Sequence, residues 1–236
     1  MSKTKEAVLA WLDKSDGWLC SRGILRGAQW SLVTSGKVSK LYAGKLYRGH
    51  PQYRTHFGLT PYEPSSRNIA HDVRDTMPIP DCAVDIYQSE DVFEHVPYAD
   101  IPAIFDEVFR ILKPSGLFRL SLPDYRSDVL ADRTLRDTSG KFIFDPVGGG
   151  QYIDGQVIHG GHLWFPTYEK VLNLFEGSRF ASGGKVQFLH YITEQNRPVL
   201  NDIDYSLGFV RRTPDHDSRA MSPRRPLSIV VDAVKL

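Results

Sequence analysis

The sequence predicts an α/β protein built on a doubly wound, mostly parallel sheet, and three observations carry that reading. Asp85-Ile86-Tyr87 is a short apolar run that ends on a polar tip, Gln88-Ser89-Glu90-Asp91. After it, Ile101, Ile104, Phe105, Val108, Ile111 and Leu112 recur at the spacing of a helix that buries one face. Residues 117–122 then form another apolar run, closed by Pro123-Asp124. Two strands joined by a helical crossover lie parallel in one sheet. Polar residues at their carboxyl ends are where such sheets bind ligands.

The remaining elements follow from local signals. Asp100 is placed to cap the helix, and Pro102 falls in its first turn, where a missing N–H costs nothing. Lys113-Pro114-Ser115-Gly116 is a helix stop. Residues 186–191 and 227–234 read as two later strands. Residues 5–14 read as a helix with Val8, Trp11 and Leu12 on one face. Residues 20–56 show no clear period, and Lys40-Leu41-Tyr42 and Lys45-Leu46-Tyr47 are too short to be a structural repeat. The expected organisation is one domain over residues 1–236, with an irregular appendage over 1–40 and an insertion over 126–165. Helices are expected on both faces of the sheet.

At 236 residues, 41% hydrophobic and 24% charged, the chain suits one large α/β domain. No apolar run approaches the ~20 residues that span a bilayer, and the first residues lack a signal-peptide core. Two cysteines, Cys20 and Cys82, offer neither a disulfide framework nor metal-ligand spacing, so a reducing cytoplasm is expected. The net charge of +1 hides an asymmetry, with ten Lys or Arg against three Asp or Glu in the first 60 residues. There Lys37, Lys40, Lys45, Arg48 and Arg54 interleave with Tyr42, Tyr47 and Tyr53. Such a pattern can track a nucleic-acid backbone. A solvated surface or an anionic small partner is the expectation here.

One run has a wider meaning. Asp72, Met77-Pro78-Ile79-Pro80-Asp81, Val84-Asp85, Ser89, Glu94-His95, Arg110-Ile111-Leu112-Lys113-Pro114 and Pro123-Asp124 match, in order and spacing, a stretch of about 55 residues. In this the chain resembles the class I S-adenosylmethionine (SAM) dependent methyltransferases, in particular a small bacterial branch linked to sugar and polysaccharide biosynthesis. The resemblance implies a Rossmann-like sheet whose last strand inserts antiparallel. It implies SAM as cofactor and a small-molecule acceptor, most naturally a sugar or polysaccharide precursor hydroxyl. A homo-oligomer or a protein partner stays open. The family's glycine-rich turn after the first strand is not matched: its nearest counterpart is residues 45–51, with Gly49 as the single glycine. An inactive methyltransferase-like binding or scaffolding protein is therefore the alternative.

By this resemblance the cofactor-binding candidates are Gly49, Thr60, Asp72, Val73, Ser89 and Glu90. Thr60 stands where an acidic residue grips the ribose, and Asp72 where one meets the adenine amino group; a turn aspartate is the equal alternative for Asp72. Ser89 and Glu90 lie beside the expected methyl position. His162 and His95 are candidate bases, and Asp124 is placed to orient the acceptor. Glu94-His95 reads at least as well as a structural pair that anchors the next helix. Gly148-Gly149-Gly150 lacks the ending of a phosphate loop and suggests a mobile cover. His159 and His162 have a spacing that permits metal binding, but no carboxylate or cysteine pattern completes a set, so no metal is expected.

Overall fold

A computed structural model describes residues 26–47 and 51–236. The expected helix over 5–14, Cys20 and Gly49 lie outside the described residues. Helix α1 (Arg26–Thr34) leads into β1 (Lys40–Ala43), β2 (Phe57–Thr60) and β3 (Asn68–Ala70). Then come β4 (Val84–Glu90), α2 (Ile101–Ile111) and β5 (Leu112–Pro123). Helix α3 (Asp128–Ala131) opens the insertion, which carries two small hairpins, β6 (Leu135–Arg136) with β7 (Phe142–Phe144), and β8 (Gln151–Ile153) with β9 (Gln156–Ile158). Helices α4 (Tyr168–Glu176) and α5 (Phe180–Gly183) precede β10 (Gly184–Ile192), β11 (Pro198–Leu200) and β12 (Ser228–Lys235).

Eight strands form one sheet in the order β11-β10-β12-β5-β4-β1-β2-β3. The five from β3 to β5 are mutually parallel. Strand β12 enters antiparallel between β5 and β10, and β11 lies antiparallel at the far edge. The order reverses between β1 and β4, and that switch point is where a ligand crevice opens in such sheets. The doubly wound, Rossmann-like α/β architecture with an inserted antiparallel strand is the one expected.

The helix ends at Ile111, one residue before the last apolar position read into it, and the strand begins at Leu112, so Lys113 to Gly116, read as a helix stop, belong to β5. Ser115 sits at φ +64°, and a Cβ on Gly116 would stand 2.8 Å from the Lys113 carbonyl oxygen. Asp100 occupies the N-cap position without a side-chain hydrogen bond. The first strand lies earlier than the 45–51 stretch suggested. It ends at Ala43, and Gly44 follows at φ +110°, donating its N–H to the Leu59 carbonyl at 2.8 Å. The chain then doubles back over β2. Buried Asn68 holds it there, accepting from Leu46 N at 2.7 Å and donating to Leu46 O at 2.9 Å. Gly58 lies directly beneath, where a Cβ would be 2.8 Å from Gly44 O.

One face of the sheet, with Leu41, Tyr87 and Phe118, shares a core with Trp30 of α1, Phe105 of α2, Phe175 of α4 and Phe180 of α5. On the other face, Leu189 and Val230 pack against Val210, Ile203 and Tyr205. Over these strands lies an irregular segment, residues 201–217, rather than a helix. Its anchor is Arg119. This side chain is fully buried, pairs with both carboxylate oxygens of Asp232 at 2.8 and 2.7 Å, and donates to the carbonyls of Asp204 and Gly208. No helix among the described residues is long and apolar enough to cross a membrane.

Removing one partner of a buried ion pair strands the other. Arg119→Met is expected to lower unfolding free energy by about 3–5 kcal/mol in urea titrations, and Arg119→Met with Asp232→Leu to recover most of that loss. Equal midpoints for the single variant and the wild type would show the pair to be inert.

Candidate active site

The carboxyl end of β4 runs Gln88-Ser89-Glu90-Asp91, and Asp91 turns the chain at φ +56° into a single 3₁₀ turn, Phe93–His95. Glu90 accepts hydrogen bonds from the Tyr53 hydroxyl, from Arg211 N at 3.0 Å and from Gln88 Nε2 at 3.1 Å. Burial pushes its carboxyl upward against the Arg211 and Tyr53 donors. Ser89 is buried, and its hydroxyl has no hydrogen-bond partner among the described residues. Arg212 forms an ion pair with Asp91.

Two cavities open at this end of the sheet. One, of about 260 Å³, lies at the tips of β1 and β4 against Ala43, Gly44, Gln52, Glu90 and Val92. The other, of about 680 Å³, is lined by Glu94, His95, Arg133, His162 and Arg212, among others. Asp91 and Arg211 line both. The arrangement is a pair of adjoining chambers at the switch point of the sheet.

The larger chamber is built by a strap from the insertion. Leu163 N donates to Glu94 O at 2.8 Å, and Trp164 Nε1 donates to Phe93 O at 2.9 Å, which fixes residues 162–164 against the 3₁₀ turn. His162 is thereby brought to His95, with ring centroids 4.8 Å apart, and its Nε2 stands 3.7 Å from Glu94 Oε1. Behind it, His162 Nδ1 meets the Tyr125 hydroxyl, which donates to Asp145 Oδ2 at 2.6 Å. Arg133 also binds Asp145, at 2.6 Å. Burial raises the Asp145 carboxyl, but Arg133, Tyr125 and Val147 N outweigh it and hold it low. Burial first, then His95, push His162 down to about 3, so it is neutral near pH 7. Glu94 is fully buried, and burial with the nearby Asp91 charge holds its carboxyl well above the usual range.

The sequence candidates separate on this geometry. His95 and His162 converge, and Glu90 lines the smaller chamber. Asp124 does not line either of these chambers; buried at the end of β5, it accepts from Arg126 N at 3.0 Å and Ile192 N at 2.8 Å, which ties β5 to β10. The Thr60 hydroxyl is spent in a local turn, donating to Tyr62 O and accepting from Tyr62 N. Asp72 pairs with Arg74 at 2.7 Å, and Val73 is part of the core. His159 is exposed and stands apart from the His95–His162 pair. In the sequence Glu94 reads with His95 as a structural pair at least as readily as a functional one, and the Tyr125–Asp145–Arg133 chain and Arg211–Arg212 are not among the site candidates. Only Glu94 carried a signal, its adjacency to His95.

Residues 57–120 match the family model described as a methyltransferase domain, a stretch running from β2 into β5. No curated protein matches the chain. Among solved structures, it is similar to a SAM-dependent methyltransferase from Archaeoglobus fulgidus, at 12% identity and a TM-score of 0.48 over 91% of this chain and 94% of that one. It is also similar to SAM-dependent methyltransferases from Methanosarcina mazei (14% identity, TM-score 0.46, 84% and 92% covered) and Mesorhizobium loti (17%, 0.44, 88% and 98%).

The position of His162 depends on Gly148, where a Cβ would stand 2.8 Å from the imidazole ring. Gly148→Ala is expected to displace that ring at a cost of about 1–3 kcal/mol, measured by chemical unfolding together with a shift of the His162 ring signals in NMR spectra. Unmoved ring signals would show that the loop yields instead.

Proposed function

We propose that this chain is a SAM-dependent methyltransferase acting on a small polar acceptor, a hydroxyl of a sugar or polysaccharide precursor, in the cytoplasm. The observation that carries the reading is the pair of adjoining chambers at the carboxyl ends of β1 and β4, one for a cofactor and one for an acceptor. The methyltransferase-domain match over residues 57–120, which takes in β4, supports it.

The smaller chamber suits the methionine end of SAM. Ala43 and Gly44 present no bulk, and the φ of +110° at Gly44 is one that L side chains rarely adopt, so the backbone is open to close approach. Glu90 and Asp91 would face the amino group. Asp72 and Val73 are assigned to the adenine end, and Ser89 lies beneath the methyl position. SAM would supply an already activated methyl group on its sulfonium. The protein's task is then to align a nucleophile and accept its proton. His95, His162 and Glu94 gather the accepting hydroxyl in the larger chamber. Arg133, Arg211, Arg212 and Arg219 line the same chamber and suit an acceptor that carries a phosphate.

A second reading, a methyltransferase-like binding protein without SAM, rests on one observation. The smaller chamber, at about 260 Å³, lies just below the roughly 300–1,000 Å³ of ordinary ligand sites. Calorimetric titration with SAM and with S-adenosylhomocysteine separates the two readings. Micromolar binding, weakened about tenfold or more in Asp72→Ala, is expected. A folded sample that binds neither ligand at millimolar concentration would establish the second reading.

A further inference from the structure

We propose that Glu94, His95 and His162 form a binding site for one divalent first-row transition-metal ion, open on one side to the larger chamber. One ligand atom from each of the three lies within 4.8 Å of the others. The 3.7 Å between Glu94 Oε1 and His162 Nε2 is too long for a hydrogen bond. It is close to the roughly 3.4 Å that separates two atoms each about 2.1 Å from one tetrahedral ion.

Hydrogen-bond accounting fixes both imidazoles in the form that binds metal. The Tyr125 hydroxyl gives its proton to Asp145, so it can only accept from His162 Nδ1. His95 Nδ1 lies 2.7 Å from the Gly160 carbonyl, which can only accept. Both rings therefore carry hydrogen on Nδ1, which leaves Nε2 as the atom that can ligate a metal ion. Metal-bound histidines are held in the same way, with the far nitrogen donating to a carbonyl or to a carboxylate-linked partner.

Glu94 supplies an independent observation. It is fully buried, and neither carboxylate oxygen has a hydrogen-bond partner among the described residues. An unpaired carboxylate in such a place costs several kcal/mol. The nearby guanidinium groups give it no hydrogen bond, since Arg133 is bound to Asp145 and Arg212, whose charge partly offsets the burial, to Asp91. A dication relieves it. The ligands are also fixed beforehand, since the strap carrying His162 is hydrogen-bonded to the turn carrying Glu94 and His95.

Two imidazoles and one carboxylate suit zinc, iron, manganese or cobalt, whereas magnesium and calcium favour all-oxygen sets. The remaining coordination positions face the chamber. An acceptor hydroxyl bound there would become more acidic, so direct hydrogen bonds from the imidazoles would give way to coordination.

The test uses the full chain, freed of metal by dialysis against a chelator, with Zn²⁺ followed by calorimetry and Co²⁺ by its visible absorption. The expected result is one equivalent bound with micromolar affinity or better, and Co²⁺ bands of nitrogen-containing coordination. Glu94→Gln and His162→Gln are expected to abolish binding, and Tyr125→Phe to weaken it about 10- to 100-fold. The exposed His159→Ala should bind as the wild type does. Circular dichroism checks folding of each variant, and His95→Gln, on a half-exposed turn, serves if a buried-site variant does not fold. A wild type that binds neither ion, or binding that survives the ligand substitutions, would overturn the site. Ion binding is read without SAM or acceptor, so its failure leaves the methyl-transfer reading untouched.

Discussion

The buried guanidinium of Arg119 is the constraint on which much of the molecule depends. A charge placed in the middle of a sheet face must be compensated, and here Asp232 and two carbonyls of the 201–217 segment take four hydrogen bonds from it. That requirement dictates where the segment lies. It brings Phe209 O to Gln88 and Tyr53, and Arg211 N to Glu90. The wall shared by the two chambers follows from it. A layer of helices would seal this face by apolar contact; this chain seals it with a polar anchor and a small apolar cluster.

The larger chamber depends on a second device. The insertion contributes little regular structure, yet two hydrogen bonds from Leu163 and Trp164 seat it on the turn after β4. Those bonds place His162 beside Glu94 and leave Tyr125, Asp145 and Arg133 to orient it from behind. The residues gathered around His162 therefore come from the loop after β5, the insertion and the 3₁₀ turn. Rigid positioning comes from the sheet, and side-chain identity comes from loops.

How much of this was legible in the sequence varied with range. The unit from β4 to β5 was readable because its signals are local: a helical period, a stop at Lys113-Pro114 and short apolar runs. Strand β1 was not. It has four residues, and the cue that fixes the chain after it is Asn68, more than twenty positions away. Gly44, which turns the chain there, was not among the candidates, and Gly49, which was, lies outside the described residues. The two histidines were identified, but Glu94 was read as structural because nothing local shows that residue 162 will return to it. The place of Arg211 and Arg212 beside the chambers was hidden by the same cause. Their role depends on a path dictated by Arg119, and no periodicity records such a path.

Strand β12 has a consequence for how the molecule comes into being. It pairs Ile229 with Leu122 and Val234 with Leu117, partners more than a hundred residues apart in the chain. Until it arrives, β5 and β10 are both open edges, and the middle of the sheet is a gap. A growing polypeptide would therefore expose the edge of β5 once that strand is made, and later that of β10 as well, until β12 is complete. Such topology slows folding, since the chain must lose the entropy of a long loop before any contact repays it. A demand for chaperones during synthesis would thus follow from the strand order itself, set apart from anything the chambers do.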